Sequence, residues 1–441
     1  MTDTQKQFSG PKQGSGSAAQ LLARRRRTLG VHSPLFYNDP IALVSGVGVW
    51  VTDVDGRTYL DGYNNVPHVG HCNPVVVDAI SAQASRLNIH TRYLNNQVID
   101  YAEELVATFG EGLDKVSFTN SGSEANDLAF RIANQRTGST GIIVSDFSYH
   151  GNTSLLADVT TALPTRNGLS ANVRAIRIPD LDAAGNDFSP ALLFEKGIRE
   201  LDAAIESLNS EGFGVSAFLF DPLFSTEGLC RLPDGYLQAV QERVHGAGGL
   251  VISDEVQSGF GRTGEAMWGY ELFGLRPDIV TMGKPMGNGH PIGGVVTRAE
   301  LLDEFGAANL YFNTFAGNPV SAAAGRAVLQ VMKDEDLVAN AQSTGNVLKD
   351  GLEKLAAAFD FVSAVKGRGL FFGIELLEDP KSGLSAPAVT KKLVESMKEN
   401  GILISKVGRH ETVLKMRPPL VFNKSHAEQL LEGLETALRS V

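Results

Sequence analysis

Cysteine is scarce in this chain: Cys72 and Cys230 are the only two among 441 residues, far apart and without ligand-type spacing. That argues against a disulfide framework or a thiolate metal site and fits a reducing compartment. Positive charge is also short. Lysine and arginine number 39 against 50 acids, a formal charge of −11, so a nucleic-acid partner is not expected. No apolar run reaches the length of a membrane span, and the polar start MTDTQKQFSGPKQGSGSAAQ lacks a signal-peptide core. A cytoplasmic protein with no membrane partner is the expectation. No internal repeat is visible. No G-x-G-x-x-G links a strand to a helix with an acid beyond it, which removes a dinucleotide-binding oxidoreductase.

What is present is an ordinary globular composition and enough chain for two or three domains. Residues 1–20 are rich in Gly, Ser and Gln and are expected to be unstructured. A helix carrying Arg24 to Arg27 follows, readable as a solvated face or as a source of cations, Arg26 among them. GVGVWVTDVDGRTYLDGYNN (46–65) reads as a hairpin turning at Asp55-Gly56. Between about 70 and 320 the runs VSFTN, IIVSDF, VRAIRIP, VSAFLFD, GLVISD and DIVTMG alternate with helical patterns, which predicts a mainly parallel sheet covered by helices. Beyond it come one long helix over 319–358, a strand GLFFGIEL, a helix over 387–400, a short strand ILISK and a closing helix. The expected division is an N-terminal segment (1–65) joining a small domain, a large domain (66–325) and a C-terminal small domain (326–441).

The chemistry begins with Asp254 and Lys284. Asp254 ends the apolar run GGLVIS, which places a carboxylate at the tip of a buried strand. Lys284 follows DIVTM between glycines that let the backbone approach a ligand. A pyridoxal phosphate enzyme needs such a pair: a lysine amine for the Schiff base, and an acid to keep the pyridine nitrogen protonated. In FTNSGSEAND, Ser121, Gly122 and Ser123 precede a helix whose N-terminus favours an anion. Tyr149 and His150 follow another strand, where an aromatic can stack on a flat ring. Val256 and Gln257 complete a ring site, one toward its face and one toward its phenolic oxygen. Thr314 offers a further hydroxyl for phosphate.

Taken in order, DVDGRTYLD, HVGHCNP, FTNSGSEAND, YHGNT, SDEVQSGFGRTG, TMGKPMGNG, TFAGNP and GRGLFFGIEL resemble the class III aminotransferases of fold type I, from about residue 30 to 437. The resemblance implies an α/β fold with a mainly parallel seven-stranded sheet in a large domain, and a smaller α/β domain formed by both termini. It implies Lys284 as the Schiff-base lysine, Asp254 at the pyridine nitrogen, Gly122 and Ser123 at the phosphate, Tyr149 on the ring and Gln257 at the phenolic oxygen. It also implies a homodimer in which Thr314 reaches the phosphate of the neighbouring subunit. Asp221 stands where the family usually has the Glu of Glu-Pro.

The substrate end departs further. Lys415, in LKMRPPL, replaces an Arg that holds carboxylates in many members, and Thr226 replaces its acidic partner. Lysine is a point charge and does not reproduce the bidentate fork of arginine. NNVPHVGHC, LNIHTRYL, HGAGG and LKMRPPL instead resemble the ethanolamine-phosphate phospho-lyase branch. That resemblance implies a small phosphorylated amine as substrate, its phosphate leaving toward cations drawn from Arg92, Lys415, Arg417 and the Arg24–Arg27 run, with Asn64 and His68 as polar contacts. The alternative on the same scaffold is an omega-transaminase acting on an amine and pyruvate. A non-catalytic pyridoxal phosphate regulator is disfavoured by the intact Asp254/Lys284 pair and by the lack of a DNA-binding segment.

Overall fold

The computed structural model describes residues 17–163, 168–182 and 189–441. Its centre is a seven-stranded sheet in the order Lys115–Thr119, Gly293–Thr297, Ile279–Met282, Leu250–Asp254, Ala217–Phe220, Ile142–Ser145, Val173–Ile176. All are parallel except Gly293–Thr297, which runs antiparallel to both neighbours. The mainly parallel sheet read from the sequence is therefore present, and the strand that the reading missed is GGVVT. Its five residues are all buried, with two glycines and no alternation to mark them as a strand.

These strands are apolar along their length because helices cover both faces, and side-chain parity divides them between two cores. Ile142, Val144, Ala217, Leu219, Leu250 and Ile252 pack with Leu128, Ala129 and Ile132 of the helix Gly122–Thr137. Ile143, Phe218, Phe220 and Val251 point the other way, into the larger core. The same parity carries from Leu250 and Ile252 to Asp254, which therefore faces the helix Gly122–Thr137. That helix is capped by Ser121, whose hydroxyl accepts from Glu124 N–H at 3.2 Å, and closes on Gly138 at φ +66°.

Two four-stranded sheets flank this centre. In one, Leu43–Val47, Trp50–Asp53 and Thr58–Asp61 form a meander, and Ile402–Leu403 joins in parallel beside the last of them. Gly56, at φ +82°, makes the turn read at Asp55-Gly56. The other contains Val362–Arg368, Phe371–Leu376, Val413–Met416 and Ser405–Val407. Two sequence expectations need correction. The run 319–358 is two helices, Pro319–Asp334 and Leu337–Ala358, broken where Asp336 turns left-handed at φ +47°. The unstructured start does not extend to residue 20: a helix spans Ala18–Thr28, because Ser17 and Gln20 form a capping box ahead of good helix formers. Residues 1–16 lie outside the described residues.

Candidate active site

The carboxyl ends of the parallel strands meet at one edge of the sheet, the place where open α/β sheets bind ligands. A cavity of about 290 Å³ opens there, lined by Ser121, Gly122, Ser123, Tyr149, His150, Asp221, Asp254, Val256, Gln257 and Lys284, with Asn120 and His290 at its margin.

Asp254 is 5% exposed and fully engaged on its protein side. Its Oδ2 accepts from His150 Nδ1 at 2.8 Å and Asn126 Nδ2 at 2.9 Å, and its Oδ1 from Val256 N–H at 3.1 Å. Thr281 Oγ1 donates to Asn126 Oδ1 at 2.6 Å, which fixes the amide so that its nitrogen faces the acid. With Nδ1 donating to the carboxylate, His150 keeps Nε2 buried and without a partner among the described residues. Sequence reading passed over Asn126. The signal was an Asn inside an apolar helix face, where a buried amide has to find partners.

Across the cavity, Lys284 follows the strand Ile279–Met282 and is open to the cavity itself while walled in on its flanks. Its Nζ makes no hydrogen bond to a described residue. Enclosure by the protein, with the positive charge of Arg417, pulls the amine from 10.5 down to about 8, opposed by Asp254 and Asp221.

At the third corner the helix Gly122–Thr137 presents its N-terminus. Backbone approach is close here: a Cβ on Gly122 would lie 2.8 Å from Val256 Cγ2, and one on Gly283 would lie 2.9 Å from Gly122 N. Gly151, at φ +146°, leaves room for Leu156 Cδ1 and Ser123 Oγ, which a Cβ there would approach to 2.4 and 2.6 Å. The cavity thus offers free N–H groups at a helix start, a hydrogen-bonded carboxylate opposite, Val256 and Tyr149 on its walls and an amine of lowered basicity. This donor set fits a flat phosphorylated pyridine such as pyridoxal phosphate.

Two cations are attached to Gln257, which lines the cavity. Lys415 and Arg417 are 6% and 5% exposed, and both donate to the same acceptor, Gln257 Oε1, Lys415 at 3.3 Å. Phe371 lies under both, 5.1 and 5.4 Å from the charges. Neither forms an ion pair with a described residue. Burial lowers both pKa values, that of Lys415 well below the ordinary amine, with Arg417 and Lys284 adding like-charge repulsion. Asp221 accepts from Leu223 N–H at 3.0 Å and from Ser225, and burial raises its carboxyl.

Other expected substrate contacts are placed elsewhere. His68 is a correction: it is fully buried, its Nε2 is 2.7 Å from Phe260 O and its Nδ1 3.2 Å from the guanidinium of Arg262, so neither nitrogen is left for a phosphate. Asn64 spends its amide on Asp61 at 3.1 Å. Arg92 is exposed, with its guanidinium 3.7 Å from the Phe312 ring centroid, and Arg26 is exposed on the helix Ala18–Thr28. Thr314 is exposed in a loop and does not line the cavity of its own chain.

The class-III aminotransferase family model matches residues 36–438. A phospholyase from Arthrobacter, solved in complex with phosphoethanolamine, is 60% identical, covers 96% of this chain and all of its own, and superposes with a TM-score of 0.93. Ethanolamine-phosphate phospho-lyase homolog 1 of Caenorhabditis elegans is 36% identical over 96% of this chain and 94% of its own length. Alanine–glyoxylate aminotransferase 2-like of Drosophila melanogaster is 37% identical over 96% of this chain and 88% of its own.

Proposed function

The chain belongs to the class-III aminotransferase family, and on that premise we propose that it is a pyridoxal-phosphate-dependent phospho-lyase. The reaction consumes phosphoethanolamine and one water and yields acetaldehyde, ammonia and inorganic phosphate. One observation carries the choice of substrate: Lys415 and Arg417 are buried cations sharing a neutral acceptor, with no carboxylate paired to either among the described residues. Such a pair calls for an anion with more charge than one carboxylate supplies. The likeness to the Arthrobacter phospholyase supports the same reading.

When bound, pyridoxal phosphate supplies an electron sink for the carbon that loses its proton. The rest falls to the chain. The N–H groups at Gly122 and Ser123 and the helix start would hold the cofactor phosphate, Val256 and Tyr149 would confine the ring, and Gln257 would serve the phenolic oxygen. Asp254, oriented by donors from His150, Asn126 and Val256, would hold a proton at the pyridine nitrogen. Lys284 anchors the cofactor, then takes the proton from the carbon bearing nitrogen, a step its lowered basicity suits near neutral pH. Lys415 and Arg417 stabilise the phosphate as it leaves. Thr314 completes the cofactor phosphate site of a neighbouring subunit, so the active species is a homodimer.

The test is incubation of the loaded protein with phosphoethanolamine alone. Free phosphate and acetaldehyde should appear in equal amounts, unaffected by pyruvate, and alanine–keto-acid exchange should run at least about tenfold slower. Phosphate release that requires pyruvate, or fast transamination of simple amines without it, would hand the site to the omega-transaminase alternative.

A further inference from the structure

Lys415 and Arg417 are buried, and neither lines the cavity of the candidate site. Gln257 does line it, and its amide oxygen is the acceptor that both cations share. Separate parts of the fold bring the three together. Gln257 follows the tip of the strand Leu250–Asp254 and is half-buried. Lys415 lies in the strand Val413–Met416, with Gly373 and Ser405 as its register partners on either side. Arg417 leaves that strand with its N–H on Gly62 O at 2.8 Å. Phe371 backs both charges, and the Tyr63 ring lies 5.4 Å from the guanidinium.

The hydrogen bonding of this cluster is one-sided. An ammonium and a guanidinium carry many more donors than one amide oxygen can accept. Arg417 Nε is buried and has no hydrogen-bond partner among the described residues. The amide is also a weak match for two charges. Its oxygen offers a dipole, where a phosphate offers roughly two negative charges and three terminal oxygens. Hydrogen bonds between ions are shorter and stronger than those to a neutral acceptor. Exchange of the amide oxygen for a phosphate is therefore favoured, and it requires only that the Gln257 side chain swing aside.

We propose that Gln257 is a displaceable, neutral stand-in for the substrate phosphate: its amide oxygen holds Lys415 and Arg417 together until the phosphate takes both donors, and its side chain then rotates away. This rests on the phospho-lyase reading and adds a specificity-determining residue to that site. The consequence is selection by competition. An anion reaches the cations only if it displaces an acceptor that both already use. A plain amine offers no such group and leaves Gln257 in place. A fixed acid at position 257 would hold the same cations in a permanent ion pair and shut the anion out. The apparent affinity for phosphate is the intrinsic affinity scaled by the fraction of molecules in which the amide has let go.

The experiment titrates inorganic phosphate into the cofactor-loaded enzyme by calorimetry at pH 8, for wild type, Gln257→Met and Gln257→Glu, each checked by absorbance for full loading. Phosphoethanolamine kinetics are measured beside it, and binding decides rather than kcat, because Gln257 also lines the cofactor cavity. Gln257→Met keeps the side-chain length and removes the acceptor, so phosphate should bind about three- to tenfold more tightly and KM should fall with it. Gln257→Glu keeps the shape and sets a carboxylate on both cations, so phosphate binding should weaken by at least about tenfold and KM should rise. A purely structural role moves both variants in the same direction, and parallel losses overturn the proposal. Weaker binding in Gln257→Met alone overturns it too, by making the amide a partner of the phosphate and not its competitor. Should Gln257→Met fail to fold or load, Gln257→Glu still decides, since unchanged or tighter phosphate binding there is the contrary result. No phosphate binding even in Gln257→Met also sinks the idea, because uncovered cations should take the anion. If wild type never cleaves phosphoethanolamine, the functional reading falls while opposite shifts of the two variants still support the stand-in. If it does cleave it and the variants shift together, the stand-in falls and the reading remains.

Discussion

At Lys284 the protein changes what a lysine can do without a hydrogen bond to it from any described residue. With the amine at about 8, roughly a tenth is neutral at pH 7, against about one in three thousand for an ordinary lysine. Only the neutral amine has the lone pair that attacks an aldehyde. Recapture of pyridoxal phosphate by the apoenzyme should therefore accelerate as pH rises toward 8 and level off above about 8.5. Stopped-flow absorbance measures this directly, with Lys284→Ala as the blank that forms no borohydride-reducible adduct. A rate still climbing at pH 10 would show that Lys284 titrates as an exposed amine. The residue scale is also where sequence reading was most uneven. Asp254 and Lys284 were legible because each ends an apolar run, and strand parity fixes where such a residue points. His68 was not: in NNVPHVGHC nothing distinguishes a histidine aimed at a ligand from one aimed at the buried Arg262, which lies 194 positions on.

Elements carry the cofactor phosphate site, and the helix Gly122–Thr137 shows how. Its first residue can only be small, since a Cβ at Gly122 would press on Val256 Cγ2 at 2.8 Å. Without cofactor Val256 can turn into the cavity it lines and relieve the contact; with a ring bound it cannot. Gly122→Ala should thus lower pyridoxal phosphate affinity by about tenfold, roughly 1.4 kcal/mol, while the apoenzyme melts close to wild type. Equilibrium titration and melting curves of both forms decide it. An apoenzyme that melts far lower, with cofactor affinity unchanged, would mean that the strain is not relieved in this way. Elements with a strong local pattern were readable, as with the six apolar strands and the Asp55-Gly56 turn. Two that were misread depend on tertiary context. GGVVT becomes a strand because Lys115–Thr119 and Ile279–Met282 flank it. The break at Asp336 falls inside an unbroken helical pattern, with a left-handed residue that is neither Gly nor Asn.

At the scale of the molecule, one chain leaves apolar surface uncovered beside its own site. Leu94 and Leu310 are 99% and 98% exposed, Phe315 71% and Tyr93 61%. They belong to two loops already in contact, since His90 stacks on Tyr93 at 5.2 Å and meets the Phe312 ring at 5.7 Å. The second loop is tied to the phosphate corner: Asn120 Nδ2 donates to Asn313 Oδ1 at 2.9 Å, and Asn313 Nδ2 to Glu124 at 2.8 Å. Thr314 is thus held at the rim without lining the site cavity of its own chain, a placement that suits a cross-subunit contact. Burying side chains of this size gains about 1.5–3 kcal/mol each, enough to bind a second copy tightly when several act together. Sedimentation should find a dimer. Phe315→Glu should divide it and release the cofactor, whereas Thr314→Ala should stay dimeric and hold pyridoxal phosphate several-fold less tightly. The pair of variants separates assembly from ligation, because only the first removes the partner and only the second removes the hydroxyl. A Phe315→Glu monomer that kept its cofactor and its activity would show that each chain completes its own site and that Thr314 has no partner to serve.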